Sequence, residues 1–149
     1  MRRILILGAG RSAPYLIQRL LESAAVNDWQ VTVADRDLEY AESRVAGHPN
    51  GRAIALDASD EQQMAGWIGT ADVVANVLAP VFQGRVARLC VEAGVHMVSV
   101  SYLQNETRNL DSWARQRGVL LLAEMGLDPG IDHMMAAEAV RATNKTGGM

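Results

Sequence analysis

A chain of 149 residues with 49% apolar and 21% charged residues has the size and composition of one globular domain with a single core. Its net charge of −3 leaves no basic footprint, which excludes nucleic acid as the main partner. No apolar run approaches the roughly 18 residues of a membrane-spanning helix, and the run Ile4–Leu7 is too short for a signal-peptide core, so no membrane partner is expected.

Apolar runs and helix-patterned segments alternate along the chain. Ile4–Leu7 reads as the first strand, followed by Gly8-Ala9-Gly10 and a helix from Ser12 to Ala25 with Pro14 in its first turn. Gln30–Ala34 is a second strand ending at Asp35, and Leu38–Ala46 a helix stopped by Gly47. Arg52–Leu56 is a third strand ending at Asp57, after which Ser59 or Asp60 caps a helix through Trp67. Ala71–Ala75 is a fourth strand with Asn76 at its end, and the helix Val81–Ala93 is closed by Gly94. His96–Val100, the helix Glu106–Arg117 and the strand Val119–Ala123 follow. The last helix spans Asp132–Thr143, and Asn144–Met149 adds no element. Strands that are apolar throughout have both faces covered by helices, so the fold class is α/β: a doubly wound parallel sheet of about six strands in the order 3-2-1-4-5-6.

Gly8-Ala9-Gly10-Arg11-Ser12-Ala13 is a Gly-x-Gly-x-x-Ala loop between a strand and a helix. In this reading Gly8 makes the turn, Gly10 admits a pyrophosphate, Ala13 keeps the helix near the sheet, and the helix N-terminus with Arg11 and Ser12 meets the phosphates. Asp35, at the end of the second strand, is placed to bind an adenine ribose, as in a Rossmann dinucleotide site. Asp35 repels the 2′-phosphate of NADP while Arg36 attracts one, so the cofactor is NAD or NADP, with NAD favoured. Asp57 is read either as an adenine contact or as a strand-end turn. Asn76 and Leu78 flank the nicotinamide half or belong to turn and core. The lone Cys90 forms no internal disulfide, which points to the cytoplasm, and reads as a small buried hydrophobe. Trp29, Trp67 and Trp113 are assigned to packing, His48 and His96 to structure, and Met134 and Met135 to core or interdomain filling.

The most informative run is Gly126-Leu127-Asp128-Pro129-Gly130-Ile131-Asp132-His133-Met134. It puts two carboxylates and an imidazole beyond a strand's carboxyl end, where open α/β sheets bind ligands. From spacing alone, Asp128 starting a turn, Asp132 capping a helix and a solvated His133 are the favoured explanation.

From Gly118 to Met134 the sequence resembles the glutamate-forming branch of the saccharopine dehydrogenase family, with similar stretches at Val33–Glu39, Glu92–Val98 and Ser101-Tyr102. The resemblance implies a dinucleotide domain over 1–125. Residues 126–149 then form an active-site turn and helix leading into a substrate and dimerisation domain absent from this chain, which therefore reads as part of a longer, homodimeric protein. It further implies NAD(P)-dependent oxidation of the secondary amine of saccharopine, or the reverse, in lysine metabolism, with a small-molecule substrate. Asp128 and Tyr102 are the catalytic candidates and His133 a weaker one; no metal is expected. The chain departs from the branch in two loops. Leu78-Ala79-Pro80-Val81-Phe82-Gln83-Gly84 stands where the branch reads Leu-Pro-Tyr-x-x-His-Pro, and Ser101-Tyr102-Leu103-Gln104-Asn105 where it reads Ser-Tyr-x-Ser-Pro. A nucleotide sensor without activity, a related imine-reducing enzyme with another amino acid substrate, and a domain without ligand are the competing readings.

Overall fold

The structure, a computed structural model, describes residues 1–145. Six parallel strands form one sheet: β1 (Arg2–Leu7), β2 (Trp29–Asp35), β3 (Gly51–Ala55), β4 (Val73–Asn76), β5 (His96–Ser99) and β6 (Leu121–Leu122). Their order is β3-β2-β1-β4-β5-β6, the doubly wound arrangement expected from the apolar runs. The helices are α1 (Pro14–Asn27), α2 (Leu38–Val45), α3 (Glu61–Ile68), α4 (Gln83–Ala93), α5 (Asn105–Asn109), α6 (Asp111–Gln116) and α7 (Ile131–Lys145), with a 3₁₀ turn at Pro80–Phe82.

Alternation along the strands splits the core into two layers. On one face Ile6, Val31 and Val33 meet Ile17 and Leu21 of α1 and Val45 of α2. On the other, Leu5, Leu7, Val74 and Met97 meet Met64 and Ile68 of α3 and Val86 and Cys90 of α4. Burying each such side chain stabilises the fold by about 1.5–3 kcal/mol. Asp37 and Asp60 cap α2 and α3 by accepting the backbone N–H of Tyr40 and Gln63. Cys90 is fully buried, and burial pushes its thiol up to about 12. No helix of the described residues is long and apolar enough to cross a membrane.

The elements depart from the sequence reading in a few places. α1 starts at Pro14 rather than Ser12, because residues 11–13 form the turn that Pro14 converts into a helix. The single helix over Glu106–Arg117 is two short helices that break at Leu110, whose side chain packs against the α3/α4 core layer. The sixth strand keeps only Leu121–Leu122: Val119 instead packs with Val91 and Ala114. The last helix continues through Asn144 and Lys145, and residues 146–149 of the expected element-free tail lie outside the described residues. Met134 and Met135 do not fill the core; α7 buries no side chain among the described residues, and both are exposed.

Candidate active site

The sheet order reverses between β1 and β4, and the loops leaving their carboxyl ends converge there. Gly8 has φ +99°, which favours glycine, and a Cβ on it would stand 3.2 Å from the Val77 carbonyl oxygen. Gly10 is different: a Cβ there would meet nothing within 4 Å, so the bare backbone faces open space. Ala13 is fully buried against the α1/α2 layer, and the start of α1 has no side-chain cap. Arg11 is exposed on this loop, and Ser12 reaches into the adjoining cleft.

Asp35 ties the loop in place. Its Oδ2 accepts the Ala9 N–H at 2.8 Å and its Oδ1 the Asp37 N–H at 3.1 Å. Asp57 Oδ1 accepts both the backbone N–H and the hydroxyl of Ser59, so this carboxylate shapes the turn after β3; the Ser59 backbone bond is the main reason its pKa is lowered. Asn76 is buried, with its Oδ1 accepting the Leu78 N–H at 3.2 Å and its Nδ2 without a partner among the described residues. Leu78 packs against the core and also borders the cleft.

That cleft, of about 780 Å³, runs from Ser12 past Leu78 and Pro80 to Tyr102, Leu127 and Asp128. The far wall is the 126–130 turn, in which the Gly126 N–H donates to the Pro129 carbonyl and the Ile131 and Asp132 N–H groups return to Gly126 and Leu127. The Asp128–Pro129 peptide is cis. Gly130 has φ +146°, and a Cβ on it would run into the Gly126 carbonyl oxygen. Asp132 Oδ1 accepts the Gly130 N–H at 2.7 Å, so this residue fastens the turn from inside α7 rather than from an N-cap position. The Tyr102 hydroxyl donates to Asp128 Oδ1 at 2.7 Å. That bond, more than the accompanying burial or the Asp128, Asp132 and Glu124 charges, raises the Tyr102 pKa above the usual 10.0. His133 presents its ring to Tyr102 at 6.3 Å between centroids, and its Nε2 lies 3.6 Å from Asp132 Oδ2. His48 and His96 accept backbone N–H groups from Asn50 and Leu120, the structural parts read for them. Among the described residues no cluster of side chains is suited to hold a metal ion.

Residues 4–122 match the family described as the saccharopine dehydrogenase NADP binding domain. The chain belongs to this family. It is 32% identical over 148 residues to a Schizosaccharomyces pombe saccharopine dehydrogenase [NADP(+), L-glutamate-forming], which covers 99% of this chain and 32% of that protein. Over 119 residues it is 38% identical to an Arabidopsis thaliana alpha-aminoadipic semialdehyde synthase, covering 80% of this chain and 11% of that one. The apo saccharopine dehydrogenase (L-Glu forming) from Saccharomyces cerevisiae superposes with a TM-score of 0.84 at 30% identity, over 99% of this chain and 32% of that structure. The chain thus spans about a third or less of the length of these relatives.

A nicotinamide dinucleotide site is therefore a property of this family's domain, but the expectation of NAD is not supported: the family is described by NADP. Asp35 accepts two backbone N–H groups and so also serves to hold the glycine loop, which makes its charge a poor guide to the cofactor. Sequence reading also passed over Gln83 and Glu124. Gln83 is fully buried at the start of α4, and Glu124 accepts the Leu103 N–H at 3.0 Å. A glutamine in place of the family's histidine was visible as a departure; its buried bonds were not.

Proposed function

We propose that this chain is the cofactor part of an NADP-dependent oxidoreductase that cleaves the C–N bond of saccharopine. Saccharopine, water and NADP⁺ give glutamate, 2-aminoadipate semialdehyde, NADPH and a proton, or the reverse. The observation that carries this reading is the cleft itself, which Ser12 of the glycine loop lines together with the Tyr102–Asp128 pair. Residues 126–149 would lead into the domain that completes the substrate site and the homodimer. A cytoplasmic location is supported by the single, buried Cys90.

The residues present fit the cofactor. Gly10 leaves room for a pyrophosphate, the uncapped start of α1 offers N–H donors, and the buried Asn76 Nδ2 lacks a partner that the nicotinamide half would supply. Arg36, exposed beside Asp35, would hold a 2′-phosphate with Arg11 available nearby on the loop. When bound, the nicotinamide ring supplies a hydride acceptor. Because glutamate keeps the nitrogen, the hydride must leave the carbon that becomes the aldehyde, and water then adds to the resulting imine. Tyr102, held protonated, donates to Asp128 Oδ1 and keeps that oxygen occupied. The Oδ2 of Asp128 is left to accept the amine N–H and take its proton.

The test is cofactor reduction by the protein expressed from its whole reading frame, with saccharopine at alkaline pH. Turnover with NADP supports the reading; no turnover with saccharopine or related secondary-amine acids rejects it. Arg36→Ala is expected to weaken NADP binding about ten- to hundredfold, the worth of a charge-assisted phosphate contact, while leaving NAD binding within a few-fold. Calorimetry with both cofactors decides, and an equal loss for the two would remove Arg36 from phosphate recognition.

A further inference from the structure

Tyr102 is more than half exposed, at 55%, so packing does not hold it against Asp128. Something else must fix the backbone on which it sits. Gln83 has no exposed surface, and all four hydrogen-bonding positions of its amide point at the segment Ser99–Thr107. Nε2 donates to Ser99 Oγ at 3.3 Å and to the Ser101 carbonyl at 3.2 Å. Oε1 accepts the Gln104 N–H at 3.0 Å and the Thr107 hydroxyl at 3.1 Å. The Ser101 carbonyl only accepts and the Gln104 N–H only donates, so the amide has one allowed orientation. Those two backbone groups flank Tyr102.

We infer that Gln83 is a positioning residue: its buried amide clamps the segment on both sides of Tyr102 and so sets the phenol against Asp128. The base of the clamp is rigid, because Gly84, Val86 and Ala87 are buried in the same first turns of α4. Gly84 contributes space as well, since a Cβ there would run into the Glu106 side chain and push α5 away. On the open side of the segment Glu124 adds two ties, its carboxylate accepting the Leu103 N–H and its own backbone N–H donating to the Ser101 carbonyl. Gln83 and Gly84 are two of the residues at which this chain departs from Leu-Pro-Tyr-x-x-His-Pro, and a neutral imidazole, with one donor and one acceptor, cannot make the four bonds seen here. The inference rests on the amine-oxidation reading only for its kinetic consequence.

The experiment uses the full-length protein carrying ¹³Cζ-tyrosine, with the Tyr102 signal assigned through Tyr102→Phe. In Gln83→Met the Tyr102 titration midpoint is expected to fall toward the ordinary tyrosine value of about 10, and kcat with saccharopine about tenfold or more with KM for NADP unchanged. Gln83→Glu keeps the shape and, while its carboxyl is protonated, both a donor and an acceptor. Its Tyr102 shift should match the wild type at low pH and depart as the introduced carboxyl ionises, a dependence that a purely structural role would not give. A wild-type Tyr102 shift and midpoint in Gln83→Glu across the whole pH range overturns the inference, even if Gln83→Met fails to fold. A wild-type protein inactive on saccharopine would defeat the proposed reaction and leave the Tyr102 measurement to decide the part played by Gln83.

Discussion

Asp128→Asn is expected to lower kcat with saccharopine by about 10²–10⁴-fold, the usual worth of a proton acceptor at the reacting group. The replacement keeps the shape of the side chain and can still accept a bond from the Tyr102 hydroxyl, now without the negative charge. Affinity for NADP should stay within a few-fold, because Asp128 is not part of the glycine loop that would hold the phosphates. The same change should bring the Tyr102 pKa back toward 10.0, since the bond to Asp128 is the largest cause of its elevation. The sign for stability follows. Neutral Tyr102 is favoured in the folded state, so its contribution is full below the unfolded value near 10 and is lost as pH rises through the folded value. A variant with wild-type kcat would reduce Asp128 to a turn former.

Gly130→Ala should be the most damaging small substitution in the 126–134 run. At φ +146° the added methyl is strained by roughly 1–3 kcal/mol. It would also stand 2.8 Å from the Glu124 carbonyl and the Gly126 nitrogen, and closer still to the Gly126 carbonyl. The turn must open to admit it, moving Asp128 away from Tyr102, so denaturant stability and activity should fall together. Gly47→Ala is the control. Gly47 shares a positive φ, at +70°, but has nothing within 4 Å of the added carbon, so only the backbone cost of about 1–2 kcal/mol remains. Equal losses in the two variants would show that crowding in the 126–130 turn has no weight.

Much of this was legible in the residues. The alternation of apolar runs with helix patterns gave the sheet and its order, and Gly8 announced the loop because its φ of +99° and the nearby Val77 carbonyl demand glycine, whereas Gly10 was legible only through the spacing of the motif. Leu110 was not legible as a break: its spacing suits one continuous helix, and only its packing against the core divides α5 from α6. Asp35 was legible as a carboxylate at the right strand end, but its bonds to Ala9 and Asp37 depend on tertiary placement, and weighing its charge above that of Arg36 produced the preference for NAD. Gln83 was hidden for the same reason, since no periodicity tells which partners a buried amide will find. Tyr102 and Asp128 became candidates through resemblance, since spacing alone would have left both as loop residues, and their hydrogen bond across 26 residues emerged only from the fold.

The buried Cys90 has a practical consequence. With burial pushing its thiol up to about 12 and no exposed surface, it stays protonated and out of reach at pH 7. To maleimide or iodoacetamide reagents the folded chain therefore behaves as if it had no cysteine. A single Leu127→Cys or Val81→Cys substitution, at a side chain 74% or 77% exposed, would carry a dye or spin label alone. Paired with a second cysteine at the exposed Arg11, such a label makes the distance from the glycine loop across the cleft measurable in solution without first stripping the native sequence.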